Sequence, residues 1–248
     1  MLCIVPLAGP DFYDAAYGVK PFVRVGDETL IEATLGRRAW VQSGQLKPSD
    51  MVFVLRDTPF SADAAMRLSQ MFPDARFVFL SAGTAGALMS ALAGASLATG
   101  EEPLVVDLAD LAFDVDDVTA EKLAAPRADG FIPWFRSSDP AYSYLRFEDD
   151  RVIETAEKRV ISSFASAGVY SFASTSHFLR AAAGCLADPE AHRVRGALFM
   201  CPAFNVLIAQ GCRVEGGEAR NVRSHSKQFH APPAPHAERL QPADEVTP

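Results

Sequence analysis

Leu2-Cys3-Ile4-Val5-Pro6-Leu7 is apolar at every position, so it reads as a strand buried on both faces rather than one that alternates between core and water. Met51-Val52-Phe53-Val54-Leu55, Arg76-Phe77-Val78-Phe79-Leu80 and Pro103-Leu104-Val105-Val106 repeat the pattern. Between them, residues 30–41, 61–72 and 84–97 carry apolar side chains at helical spacing. Strand, helix, strand at this pitch requires right-handed crossovers and a parallel sheet. The fold class is therefore α/β, a three-layer α/β/α sandwich with a mostly parallel central sheet.

The second half of the chain changes character. Residues 130–135, 143–147 and 152–154 read as shorter strands, and Glu148-Asp149-Asp150 between the last two reads as a hairpin turn. Residues 167–172 form a further strand. A helix follows from Ser174, its N-cap, to Cys185. Residues 203–209 are apolar at helical spacing and stop at Gly211. We place one domain over residues 1–220 and a Pro- and Ala-rich tail or strap over 221–248.

Composition narrows the partners. A net charge of -8 argues against a nucleic-acid partner, which needs clustered Lys and Arg, but leaves room for a single nucleotide. No apolar run reaches the roughly 18 residues of a membrane span. Residues 1–7 hold no Lys or Arg ahead of the apolar stretch, so the expected location is cytoplasmic. Cys3, Cys185, Cys201 and Cys212 lack CxxC spacing and read as buried thiols. His177, His192, His225, His230 and His236 show no HxxxH or HExxH spacing, so no zinc site is expected. Neither a GxSxG elbow nor a GxxxxGK[ST] loop is present.

Four stretches, in order, resemble the sugar-phosphate nucleotidyltransferases, including capsule-type members. They are Ile4-Val5-Pro6-Leu7-Ala8-Gly9 with Gly18-Val19-Lys20-Pro21; Pro103-Leu104-Val105-Val106-Asp107-Leu108-Ala109-Asp110; Glu157-Lys158 with Ala167-Gly168-Val169-Tyr170-Ser171-Phe172; and Pro202-Ala203-Phe204-Asn205-Val206-Leu207-Ile208. The resemblance spans roughly residues 1–215 and implies the nucleotide-diphospho-sugar transferase type of α/β fold. It further implies transfer of a nucleoside monophosphate from a nucleoside triphosphate to a sugar phosphate for surface polysaccharide, with Mg²⁺ as cofactor. Gly9 would belong to a phosphate loop, Glu157 would bind sugar hydroxyls, and Lys158 would hold the sugar phosphate.

The residues themselves point to the same chemistry. Two anions must be joined, so positioning and charge neutralisation dominate. Lys20 follows the loop after the first strand, at the mouth of the sheet, and is the expected catalytic cation for the triphosphate. Asp110 follows an apolar strand at its carboxyl end and is the expected Mg²⁺ ligand, with Asp107 as a second. Gly86, in the small-residue turn 81–87 that opens a helix, suits close approach of a nucleobase or ribose. Asn205 lies in an apolar helical run, where it either orients a ligand or satisfies a neighbouring backbone group. Lys20, Asp110, Glu157 and Lys158 are expected to converge on one cleft.

One departure stands out. The family's loop carries a second glycine and an arginine, whereas this chain has Pro10-Asp11-Phe12-Tyr13-Asp14. The carboxylates oppose triphosphate binding. Two alternatives therefore stay open: a glycosyltransferase holding a sugar nucleotide through Asp107 and Asp110, and a non-catalytic relative that binds a sugar nucleotide. A homo-oligomer also stays open.

Overall fold

The computed structural model describes residues 1–224. The opening strand, Leu2–Pro6, lies between Met51–Arg56 and Leu104–Asp107 and runs parallel to both, with Cys3 opposite Met51 on one side and Val105 on the other. Arg76–Leu80 adds a fourth parallel strand outside Met51–Arg56. Beyond Leu104–Asp107 the direction reverses. Val169–Phe172 and then Gly130–Arg136 follow, each antiparallel to its neighbour, and the hairpin Ser143–Glu148 with Arg151–Glu157 closes that edge through Phe164–Ser166. The central sheet is thus parallel in its first half and chiefly antiparallel in its second.

Alternation within the buried strands sorts the core into two. Leu2, Ile4, Val52, Val54, Leu104 and Val106 face the helices Ala87–Ala95, Thr175–Ala187 and Met200–Ala209. Cys3, Val5, Met51, Phe53, Leu55 and Val105 face the opposite layer, which includes Ser61–Met71 and Asp117–Ala124. Both sheet faces are covered, which is why these strands read as continuous apolar runs. Asp116 caps the second of those helices through the Thr119 amide, and Ser174 caps Thr175–Ala187 through His177.

One expected element breaks up. Residues 30–41 do not form a single helix but a turn of helix at Leu30–Ala33, a 3₁₀ turn at Leu35–Arg37 and a second short helix at Ala39–Gln42. Thr34 donates its hydroxyl to the Leu30 carbonyl, competing with the ladder, and Arg38 takes extended angles (φ -58°, ψ 132°). That break aims Arg38 into the core. At the other end, residues 221–224 belong to the strand Arg220–Ser224, which pairs with Leu111–Asp114. The rest of the expected Pro- and Ala-rich segment lies outside the described residues.

Candidate active site

A cleft of about 1020 Å³ opens at the carboxyl end of the parallel strands. Lys20, Asp110, Glu157 and Lys158 all line it, as do Gly9 and Gly86. Four polar groups from three separate chain segments therefore meet at the place where open α/β sheets bind ligands.

Lys20 starts a 3₁₀ turn whose next residue, Pro21, fixes the local backbone, and its own amide bonds to the Phe12 carbonyl at 2.9 Å. Its ammonium reaches Asp110 Oδ1 at 2.7 Å and Asp11 Oδ2 at 2.5 Å. Burial opposes the charge on Lys20, but the two carboxylates outweigh it and hold the pKa above the usual lysine value. Asp110 follows Ala109, which sits in the left-handed region at φ 52° and donates its amide to Asp107.

Glu157 ends its strand, accepts from the Ser143 hydroxyl, and is pushed up in pKa by burial, partly offset by that bond and by the Lys158 charge. Lys158 is also left-handed, at φ 53°, and its ammonium lies 4.6 Å from the centre of the Phe199 ring. On the opposite wall, Gly86 has φ 113°, and a Cβ there would stand 2.2 Å from the Leu198 carbonyl oxygen. No other residue fits that position. Nearby, the Thr84 and Ser90 hydroxyls bond at 2.6 Å within the cleft wall.

Two expected site residues are placed elsewhere. Asp107 is fully buried, and Arg38 takes its two oxygens at 2.7 and 3.0 Å, so it faces the core instead of a metal. Asn205 accepts from the Thr155 amide at 2.8 Å and donates to the Thr155 carbonyl at 2.8 Å. It satisfies the backbone of the strand Arg151–Glu157 and is not part of the cleft lining.

The stretch 9–18 does not form a glycine-rich cradle. Tyr13–Asp14 pairs with Gly18–Val19 as a small hairpin, Phe12 is buried, and the Tyr13 ring stacks on Phe60 at 3.9 Å. Asp11 also lies over Gly9, where a Cβ would come within 2.6 Å of its carboxylate.

Arg195 was not singled out from sequence, yet it lines the cleft. It sits with Gly196 at the tip of the hairpin Arg193–Val194 and Ala197–Leu198, both at positive φ (52° and 80°). An X-Gly pair between two short β-type runs was the available signal. Ser224 also reaches the cleft, because it is the strand partner of Leu111, next to Asp110.

Mg²⁺ takes oxygen ligands and is commonly held through one or two carboxylates together with substrate phosphates. Asp110 fits such a role, since Lys20 takes Oδ1 and no described residue bonds Oδ2. Asp107 does not fit.

Among solved structures, the chain is similar to the nucleoside-diphosphate-sugar pyrophosphorylase from Vibrio cholerae, with 22% identity and a TM-score of 0.74 over 90% of this chain and 95% of that one. It is also similar to the inositol-1-phosphate CTP transferase from T. maritima, with 13% identity and a TM-score of 0.64 over 89% of this chain and 86% of that one. No protein-family model and no curated protein matches the sequence. At these identities the likeness shows the fold alone. The architecture is the α/β fold of these nucleotidyltransferases. Among the described residues, no helix is long and apolar enough to cross a membrane.

Proposed function

We propose that this chain transfers a nucleoside monophosphate from a nucleoside triphosphate to a sugar phosphate or a similar phosphorylated metabolite. The observation that carries this reading is the meeting of Lys20, Asp110, Glu157 and Lys158 in one cleft. A phosphate oxygen of the acceptor attacks the α-phosphorus, the bond to the leaving pyrophosphate breaks, and the product is a sugar nucleotide. Both reactants are anions, so the protein's task is to align them and neutralise their charge.

Lys20 supplies the half-buried cation for the triphosphate, exchanging Asp11 for a phosphate oxygen while keeping Asp110. Lys158 and Arg195 supply cations for the acceptor phosphate, and Glu157 accepts hydrogen bonds from its hydroxyls. The turn at Gly86, with Thr84 and Ser90, offers room and polar atoms for the ribose and base. Bound Mg²⁺, with Asp110 as protein ligand, would add charge neutralisation at the transferring phosphate. The likeness of residues 202–208 to capsule-type members supports a product made in the cytoplasm for surface polysaccharide.

One observation favours a second reading, a non-catalytic relative that binds a sugar nucleotide: Asp11 already neutralises Lys20, beside a loop that closes as a hairpin. The glycosyltransferase reading loses its metal grip, because Asp107 pairs with Arg38. The test is release of pyrophosphate from each common nucleoside triphosphate mixed with a panel of sugar phosphates. Turnover with any pair supports the enzyme. Binding of a sugar nucleotide with no turnover across the panel supports the non-catalytic relative.

A further inference from the structure

Asp129, His177 and Cys212 meet outside the cleft just described. Asp129 precedes the strand Gly130–Arg136, His177 lies in the first turn of the helix Thr175–Ala187, and Cys212 follows the helix Met200–Ala209. One carboxylate oxygen, one ring nitrogen and the thiol sulfur all lie within 4.8 Å of one another, and all three residues are half-buried. Nitrogen, sulfur and one carboxylate oxygen are the donor set of tetrahedral Zn²⁺, whereas Mg²⁺ takes oxygen alone.

The arrangement is oriented from outside as a metal site is. His177 Nε2 lies 3.1 Å from Asp129 Oδ1, a separation that two ligands of one small cation share. Nδ1 of the same ring is held at 3.0 Å by the Ser174 hydroxyl, which fixes the ring and leaves Nε2 for the cluster. Asp129 Oδ2 accepts the Arg213 amide at 2.7 Å, so the second carboxylate oxygen is oriented too. The Cys212 amide is tied to the Leu207 carbonyl at 3.0 Å. Arg180 Nη2 stands 3.7 Å from Cys212 Sγ and donates to it from the outer side of the cluster.

A nucleophilic relay does not fit the same residues. It would place the carboxylate on one ring nitrogen and the thiol on the other, and here Nδ1 is committed to Ser174.

We infer that Asp129, His177 and Cys212 bind one Zn²⁺, with a water in the fourth position. Binding forms one bond each to oxygen, nitrogen and sulfur, and the Cys212 proton passes to solvent. The ion ties the helices Thr175–Ala187 and Met200–Ala209 to the start of the strand Gly130–Arg136. Histidine spacing could not reveal it, because the three ligands come from three distant elements.

The test uses the full chain without an affinity tag, reduced and freed of metal, with Zn²⁺ or Co²⁺ as the probe. One equivalent of Zn²⁺ is expected to bind, and Co²⁺ is expected to give a thiolate charge-transfer band in the near ultraviolet. Cys212→Ser is expected to abolish that band. Zn²⁺ at about a hundredfold excess over its Kd should raise Tm by roughly 5–10 °C in the unaltered chain and not in Cys212→Ser. A second measurement needs no variant: Zn²⁺ should protect Cys212 from alkylation by iodoacetamide, read by peptide mass. A cobalt spectrum without the thiolate band, a band that survives Cys212→Ser, or equal alkylation of Cys212 with and without Zn²⁺ would overturn the assignment.

Discussion

Arg38 and Asp107 form a two-pronged ion pair sealed inside the protein, with side chains 1% and 0% exposed. Asp107 Oδ1 also accepts the Ala109 amide at 2.8 Å, the residue whose left-handed backbone leads into Asp110. One carboxylate therefore supports the turn that presents the next. Removing half of a buried pair strands the other charge and typically costs about 3–5 kcal/mol. Asp107→Asn is thus expected to lower Tm by roughly 6–20 °C. The double change Arg38→Met with Asp107→Leu should recover most of that loss. A thermal melt of Asp107→Asn that matches the unaltered chain would show that the pair carries no stability.

Asp11 competes with phosphate for Lys20. Replacing it with alanine removes a charge-assisted bond to the ammonium and leaves Asp110 in place. Asp11→Ala should tighten nucleoside triphosphate binding about tenfold, the equivalent of roughly 1.4 kcal/mol. Calorimetry showing weaker binding in this variant would mean that Asp11 assists the nucleotide instead of opposing it.

Glu157 carries a pH signature. Burial raises its folded pKa, so the fold favours the neutral acid. Its stability contribution is complete below the unfolded glutamate value of about 4.3 and is lost as pH rises through the folded value. Glu157→Gln stays neutral throughout and can still accept from Ser143. The variant should melt above the unaltered chain at pH 7, and the two should converge near pH 4. A difference of the same size at both pH values would remove the ionisation of Glu157 as its cause.

Three of the four parallel strands were legible because each is buried on both faces, and Leu2–Pro6 is apolar at every position for that reason, whereas Arg76–Leu80 carries a similar apolar run at the sheet edge with Phe79 exposed. Gathering Lys20, Asp110, Glu157 and Lys158 in one cleft was legible too, since three of them follow or end sheet strands. Asp107 was not. Its spacing from Asp110 resembles a metal pair, and only the break in residues 30–41 brings Arg38 to it. Asn205 was open between ligand and backbone, and the strand that decides the matter lies 50 residues earlier. Arg195 escaped notice because a two-residue hairpin tip carries little hydrophobic pattern.

Nucleotidyl transfer in this cleft rests on Lys20 as its half-buried cation. The most direct test is pyrophosphate release by the unaltered chain and by Lys20→Ala, with whichever triphosphate and sugar phosphate support turnover. Release by the unaltered chain is expected, and in Lys20→Ala a fall in kcat/KM of roughly 100-fold or more, as when a transition-state charge contact is removed. No release from any pair, or release that Lys20→Ala leaves unchanged, would contradict it.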